Sequence, residues 1–139
     1  MIVCIPDVLS AEEIRKIRTE AAAMPFVPGA ETAGGRATRV KNNEQISQKA
    51  EERKILHEIV IAALLRSRTF TRVAMPKRIR PPLISRYRPG MAYGKHVDNA
   101  LMGPKLIRER SDVSVTVFIS DIDECDGGEL VMHSPFGLQ

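Results

Sequence analysis

Apolar residues recur every three or four positions in the first half of this chain and every two positions in much of the second. Ile14, Ile17, Ala21 and Met24 follow the helical rhythm. Ser10 stands three residues before Glu13, the spacing of a capping box, so a helix is predicted to start there and to end at Pro25. Ahead of it, the apolar run Ile2 to Ile5, closed by Pro6, reads as a short strand. Gly29, Gly34 and Gly35 mark a loop or hairpin region reaching Lys41-Asn42-Asn43. Ile55, Ile59, Ala62 and Arg66 then predict a second helix from about Ser47 to Leu65, and Pro76, Pro81 and Pro82 punctuate the stretch after it.

Past Pro82 the period becomes two. Leu83, Ser85 and Tyr87 fall on one face of a strand and Ile84, Arg86 and Arg88 on the other, with Pro89-Gly90 as a turn. Tyr93 to Asp98 reads as the next strand. The clearest is Asp112 to Ser120, where Val113, Val115, Val117 and Ile119 alternate with Ser114, Thr116, Phe118 and Ser120. Gly127-Gly128 makes a turn, and Glu129 to Met132 begins one more strand. Helices followed by a run of strands predict an α+β fold with an antiparallel sheet or barrel.

Composition adds limits. A chain of 139 residues, 43% hydrophobic and 27% charged, is of one-domain size and ordinary globular make-up. No apolar run approaches the roughly 20 residues of a membrane span, and residues 1–6 are too few for a signal peptide. Cys4 and Cys125 make no disulfide framework, so a cytoplasmic protein is the expectation. The net charge of +4 is unevenly spread. No Asp or Glu occurs from Ile59 to Val97, while Arg66, Arg68, Arg72, Lys77, Arg78, Arg80, Arg86, Arg88 and Lys95 all do. Such a stretch suits either a solvated surface or an anionic partner. With no Trp, two Tyr and four Phe there is little to stack on bases, which makes nucleic acid the weaker choice of partner.

His96-Val97-Asp98 is the feature with a mechanism. Residues two apart on a strand point to the same face, so an imidazole and a carboxylate converge. These are two of the three ligands in the facial triad of non-haem Fe(II) oxygenases. Taken alone, the pair also fits an exposed strand end with two polar side chains.

The surrounding residues are more specific. The stretch Arg86-Tyr87-Arg88-Pro89-Gly90-Met91-Ala92-Tyr93-Gly94-Lys95-His96-Val97-Asp98-Asn99 resembles the iron-binding region of prolyl 4-hydroxylase-like 2-oxoglutarate/Fe(II) oxygenases. Arg110-Ser111-Asp112, the valine-rich run ending Phe118-Ile119-Ser120-Asp121, and Asp126-Gly127-Gly128-Glu129-Leu130 continue the likeness. Ile5-Pro6-Asp7-Val8-Leu9-Ser10 and Val40-Lys41-Asn42-Asn43 resemble one bacterial branch, the PKHD-type hydroxylases. The resemblance runs in order along essentially the whole chain.

It implies N-terminal helices, residues 1–77, packed on a double-stranded β-helix (jelly-roll) whose first part is residues 78–139. It implies Fe(II) held by His96, Asp98 and a distal histidine, with 2-oxoglutarate as cosubstrate and L-ascorbate keeping the iron reduced. The reaction implied is oxidative decarboxylation of 2-oxoglutarate to succinate and CO2, coupled to hydroxylation of a C–H bond in an unidentified small-molecule or peptide substrate. A tyrosine near the cosubstrate is also implied. Tyr87 and Tyr93 are the only two; strict alternation sets Tyr93 opposite His96 and favours Tyr87 for the pocket.

For the third ligand only His57, in the predicted second helix, and His133, after Gly127-Gly128, are available. Neither matches the family's distal histidine, which comes later and is followed by an arginine or lysine for the cosubstrate. The expectation is therefore an N-terminal portion of a longer hydroxylase, with an incomplete barrel whose open strand edge leaves self-association open. The alternative is a non-catalytic β-barrel module that binds an anionic partner. On the first reading, the purified 139-residue chain binds Fe(II) weakly and turns over no 2-oxoglutarate. Assaying succinate release checks this, and robust release overturns it.

Overall fold

A computed structural model describes residues 2–33, 35–103, 106–134 and 137–138. Gly34, one of the loop markers, lies outside the described residues.

The first helix, α1 (Ala11–Ala22), forms where the capping box sets it. Glu13 N–H donates to Ser10 Oγ at 3.2 Å, and Ser10 N–H donates to the Glu13 carboxylate at 2.8 Å, so two otherwise orphaned donors are satisfied. Its buried face carries Ile17 and Ala21. The second helix, α2 (Lys54–Arg66), is shorter than the sequence suggests, because Glu51–Arg53 form a 3-10 turn ahead of it. Its core face is Leu56, Val60, Ala63 and Leu64. Ile55 and Ile59, expected at the centre, are partly buried at its flank. In a helix so apolar, periodicity alone locates the stripe poorly. A third helix, α3 (Arg68–Ala74), comes immediately after, and Ser67 Oγ caps it by accepting from Phe70 N–H.

These three helices pack around Ile17 and Leu56, both fully buried, with Leu9, Met24, Ile46, Val60, Leu64 and Phe70 completing the core. The strands β1 (Phe26–Pro28), β3 (Glu44–Ile46) and β4 (Ser85–Arg86) form an antiparallel sheet in the order β1-β3-β4. Pro28 lies on an outer strand, where a missing N–H costs no ladder bond. Three two-stranded ladders complete the set: β2 (Lys41–Asn42) with β5 (Ala92–Tyr93), β6 (Leu101–Met102) with β7 (Glu109–Arg110), and β8 (His133–Ser134) with β9 (Gly137–Leu138). The architecture is α+β, and the described strands close no barrel. No described helix is long and apolar enough to cross a membrane.

Three strand expectations are corrected. Residues 2–5 form no regular secondary structure and pair with no described strand; Ile2 and Val3 face solvent while Ile5 packs on the core. The valine-rich run 112–120 likewise has no regular secondary structure and no ladder among the described residues. Val113, Val115 and Phe118 are exposed, while Val117 and Ile119 lean on the helical core. Alternation fixes which way side chains point, but a strand needs a partner for its N–H and C=O groups. The same applies to residues 129–132, where regular pairing starts only at His133.

The basic stretch is partly paired within the molecule, three carboxylates serving five of its nine cations. Arg66 pairs with Glu13, Arg78 and Arg80 with Glu109, and Arg86 and Arg88 with Glu44. Arg68, Arg72, Lys77 and Lys95 have no carboxylate partner among the described residues.

Glu13 both caps α1 and, through its bidentate contact with Arg66, ties α1 to the last turn of α2. The Arg66 guanidinium, helped by the Ser10 N–H, holds its carboxyl well below the usual range, at about 2. A carboxyl with a depressed folded-state pKa stabilises fully above its unfolded value, and that stabilisation fades as pH falls toward the folded one. Glu13→Gln keeps a capping side chain and removes the charge. Urea unfolding of both proteins should show a stability difference at pH 6 that shrinks steadily between pH 4.5 and pH 2.

Candidate functional site

Polar residues, not apolar ones, line the buried face of the segment from Lys41 to Gln45. Lys41, Asn43 and Gln45 alternate with the more exposed Asn42 and Glu44, and are 9%, 4% and 3% exposed. Period two carries all three side chains to one side of the β2–β3 segment. Buried polar groups must find partners, and these do so from several elements. Lys41 Nζ donates to Thr32 Oγ1 at 2.8 Å, and the Thr32 hydroxyl also bonds Gln45 and lies 3.0 Å from the Gly29 carbonyl. Gln45 Nε2 donates to Ser85 Oγ at 2.9 Å, and Asn43 Nδ2 donates to Tyr87 Oη at 2.9 Å.

Pairing of β2 with β5 sets Lys41 directly across from Tyr93. The ammonium lies 5.3 Å from the centre of that ring, a cation–π contact. The ladder is extended by Gly94, whose N–H donates to the Val40 carbonyl at 2.8 Å. A Cβ at Gly94 would lie 3.1 Å from Val40 Cβ, so a larger residue would press the two strands apart.

Strand geometry ends at Tyr93, and the chain bends at Lys95. This bend overturns the placement of Tyr93 opposite His96. The two rings stack instead, with centroids 3.6 Å apart and planes 9° from parallel. The imidazole is held at a second point, since Nδ1 lies 2.7 Å from the Gly94 carbonyl oxygen. A carbonyl can only accept, so Nδ1 carries the proton in this contact and Nε2 is the nitrogen left facing Asp98. Nε2 and Asp98 Oδ1 are 3.4 Å apart. The convergence of the two side chains expected from their spacing is therefore present, although a bend rather than a regular strand produces it.

The two tyrosines differ. Tyr87 is about half exposed and anchored by Asn43. Tyr93 is partly buried, and burial first, then the Asp98 and Tyr87 oxygens, push its phenol above the ordinary value. It stays protonated at neutral pH and can donate a hydrogen bond.

The donor set fits a divalent cation in part. A neutral imidazole nitrogen and a carboxylate oxygen are borderline-hard ligands of the kind that hold Fe(II), Mn(II) or Zn(II). Two donors each about 2.1 Å from one ion at a right angle stand roughly 3 Å apart, close to the separation seen here. Among the described residues no third His, Cys, Asp or Glu completes a cluster. His133 is exposed on β8. His57 is partly buried on α2; desolvation and the Arg53 charge lower its pKa, while a bond to the Pro82 carbonyl opposes them.

Sequence reasoning reaches His96, Asp98 and the tyrosines but gives the side chains of Lys41, Asn43 and Gln45 no role. The signal available is their spacing in Lys41-Asn42-Asn43-Glu44-Gln45-Ile46, a period-two run without an apolar residue until its end. Such a run reads as a loop unless a polar interior is considered.

The likeness to known proteins extends along the whole chain. It is 42% identical over 139 residues to a PKHD-type hydroxylase of Thioalkalivibrio sulfidiphilus, covering 100% of this chain and 62% of that protein. A PKHD-type hydroxylase of Thermosynechococcus vestitus is 45% identical over 139 residues with the same coverage. One from Synechococcus elongatus is 45% identical over 133 residues, 96% of this chain and 60% of that protein. The chain thus spans about three-fifths of the length of these relatives. No protein-family model matches it.

Asn43 is fitted against Gly29 with no room to spare. Gly29 N–H donates to the Asn43 carbonyl at 2.8 Å, and a Cβ on Gly29 would fall 1.7 Å from Asn43 Oδ1. Gly29→Ala should therefore destabilise the chain by about 1–3 kcal/mol in urea unfolding, as overpacking does. In an Asn43→Ala background the same substitution should cost much less, giving a clear coupling energy in a double-mutant cycle.

Proposed function

We propose that this chain is the iron-holding part of a PKHD-type hydroxylase that uses 2-oxoglutarate and O2 to hydroxylate an organic substrate. One observation carries the reading: within a chain that matches hydroxylases along its full length, His96 presents Nε2 to the Asp98 carboxylate at 3.4 Å with its other nitrogen already tied to backbone. An imidazole whose Nδ1–H is engaged by a carbonyl is oriented as a metal ligand through Nε2.

On this reading His96 and Asp98 hold Fe(II), which when bound supplies open positions for the cosubstrate and O2 and the redox chemistry of C–H hydroxylation. The residues around them supply positioning. Gly94 fixes the imidazole through its carbonyl, and Tyr93 fixes the ring plane by stacking, so the Nε2 lone pair keeps one direction. The protonated Tyr93 phenol is a donor for a ligand carboxylate beside that pair. Tyr87, held by Asn43, is the second phenol for the same end of the site. L-Ascorbate is the reductant that keeps such iron in the ferrous state.

The fold belongs to the same reading. Residues 78–139 begin a jelly-roll domain on which the helices of residues 1–77 pack, and the protein works in the cytoplasm. The substrate is a small molecule or peptide.

Anaerobic titration with Fe(II), and then with 2-oxoglutarate, tests the assignment through the visible band of the metal–cosubstrate chelate. The unaltered chain should give this band at high ligand concentration. His96→Ala and Asp98→Ala should each lose it with unchanged circular dichroism. A band of equal intensity in either variant overturns the assignment.

A further inference from the structure

Of the cations left without a carboxylate in the acid-free stretch, two are neighbours. Arg68 and Arg72 stand one turn apart on α3, on the face turned away from the buried Phe70, and both are exposed. Like charges at that spacing repel, and no carboxylate among the described residues relieves them. Lys77, also exposed, adds a third charge just past the helix. Exposed apolar side chains accompany these cations. Val73 is 41% and Met75 79% exposed. Met75 closes α3 at φ 42°, in the left-handed region that favours glycine, so a glycine there would serve the backbone better. The fold thus carries a patch that is both basic and apolar, at a cost to its own stability.

The opposite arrangement stands at residues 121–129. Ile122–Glu124 form a 3-10 turn, and Arg18 on α1 holds Glu124 through two hydrogen bonds, which fixes the turn against that helix. Ile122 is 90% exposed. Asp123, Asp126 and Glu129 are exposed beside it, and none has a cationic partner among the described residues. Within the chain, no described ion pair joins this acidic turn to the basic face of α3. Each offers what the other lacks: apolar side chains accompanied by charges of one sign, which is how an interface with an apolar centre and a charged rim is built.

We infer that the chain associates with a second copy of itself, the Arg68–Arg72 face of α3 in one copy receiving the 121–129 turn of the other. Two such contacts related by a two-fold axis close a dimer in which both copies use both faces. A copy suits the face better than a nucleic acid, because Val73 and Met75 need an apolar counterpart, which Ile122 supplies and a phosphate backbone does not. The inference is independent of the hydroxylase reading.

Sedimentation equilibrium tests it at about 100 μM protein, where a micromolar contact is filled. In low salt the mass should be that of two copies. At about 0.5 M NaCl the association should be weaker by tenfold or more, as screening shortens the reach of the charges. Arg68→Glu with Arg72→Glu, and separately Asp123→Lys with Asp126→Lys, should each give a monomer with unchanged circular dichroism. Mixed in equal amounts, the two variants should dimerise again, since the two reversed faces attract and the other contact keeps its original charges.

A monomeric unaltered chain overturns the inference. So does a dimer that persists in both variants or in high salt, which would move the contact to the exposed valine-rich run 112–120. Should either variant fail to fold, carbodiimide crosslinking of mixed 14N and 15N copies of the unaltered chain decides. A crosslink from Lys77 of one copy to the 121–129 carboxylates of the other is expected, and its absence overturns the inference.

Discussion

The site depends on one short ladder, Lys41-Asn42 against Ala92-Tyr93, prolonged by the bond from Gly94 N–H to the Val40 carbonyl. It joins two stretches some fifty residues apart in sequence. One brings the buried polar row; the other brings Tyr93, the bend and the His96–Asp98 pair. A ladder this short has little strength of its own. Its register is fixed by what lies on either side: the Lys41 contact with the Tyr93 ring, and the close fit of Gly94 on Val40. A slip of one residue would turn Lys41 to solvent and bury Asn42, which makes the register costly to change.

Charge is arranged on two different principles. On the surface, arginines from the acid-free stretch reach carboxylates far away in sequence, as Arg66 does with Glu13 and Arg78 with Glu109. Such exposed pairs contribute modestly and are screened by salt. Their structural effect is to tie α1 to α2 and the β7 strand to the segment after α3. Inside, the polar row is held by neutral partners, and Lys41 keeps its charge without a counter-ion among the described residues. The first arrangement explains why a large basic segment need not imply a nucleic-acid surface. The second concentrates unspent polarity next to the His96–Asp98 pair.

Much of the fold is legible where one local rule suffices. The capping box at Ser10 and Glu13 sets the start of α1, and the helical spacing of Ile17 and Ala21 sets its buried face. The break between α2 and α3 is harder to read, although Ser67 is an ordinary N-cap residue, because the long apolar run before it masks the cap. Strands are legible as alternation and illegible as pairing. Residues 112–120 carry the clearest period-two pattern and have no ladder among the described residues, since pairing depends on distant chain that alternation does not identify. In the candidate site, His96 and Asp98 are legible through their spacing and their neighbours. Tyr93 is misplaced by strict alternation because the rule of two holds only while a strand continues, and Gly94-Lys95 ends it.

Ser67 has a consequence for how the molecule opens. Its N–H donates to the Ala63 and Leu64 carbonyls, closing α2, while its Oγ accepts from Phe70 N–H and its carbonyl accepts from Thr71, opening α3. A helix of seven residues is too short to persist in water by itself. Here its first turn is built on the last turn of its neighbour, and Phe70 is buried in the same core as Leu64. The two helices therefore form a single cooperative unit. Opening fluctuations that expose the amides of α3 must also release the end of α2, so a segment that looks like an appendage inherits the lifetime of the core.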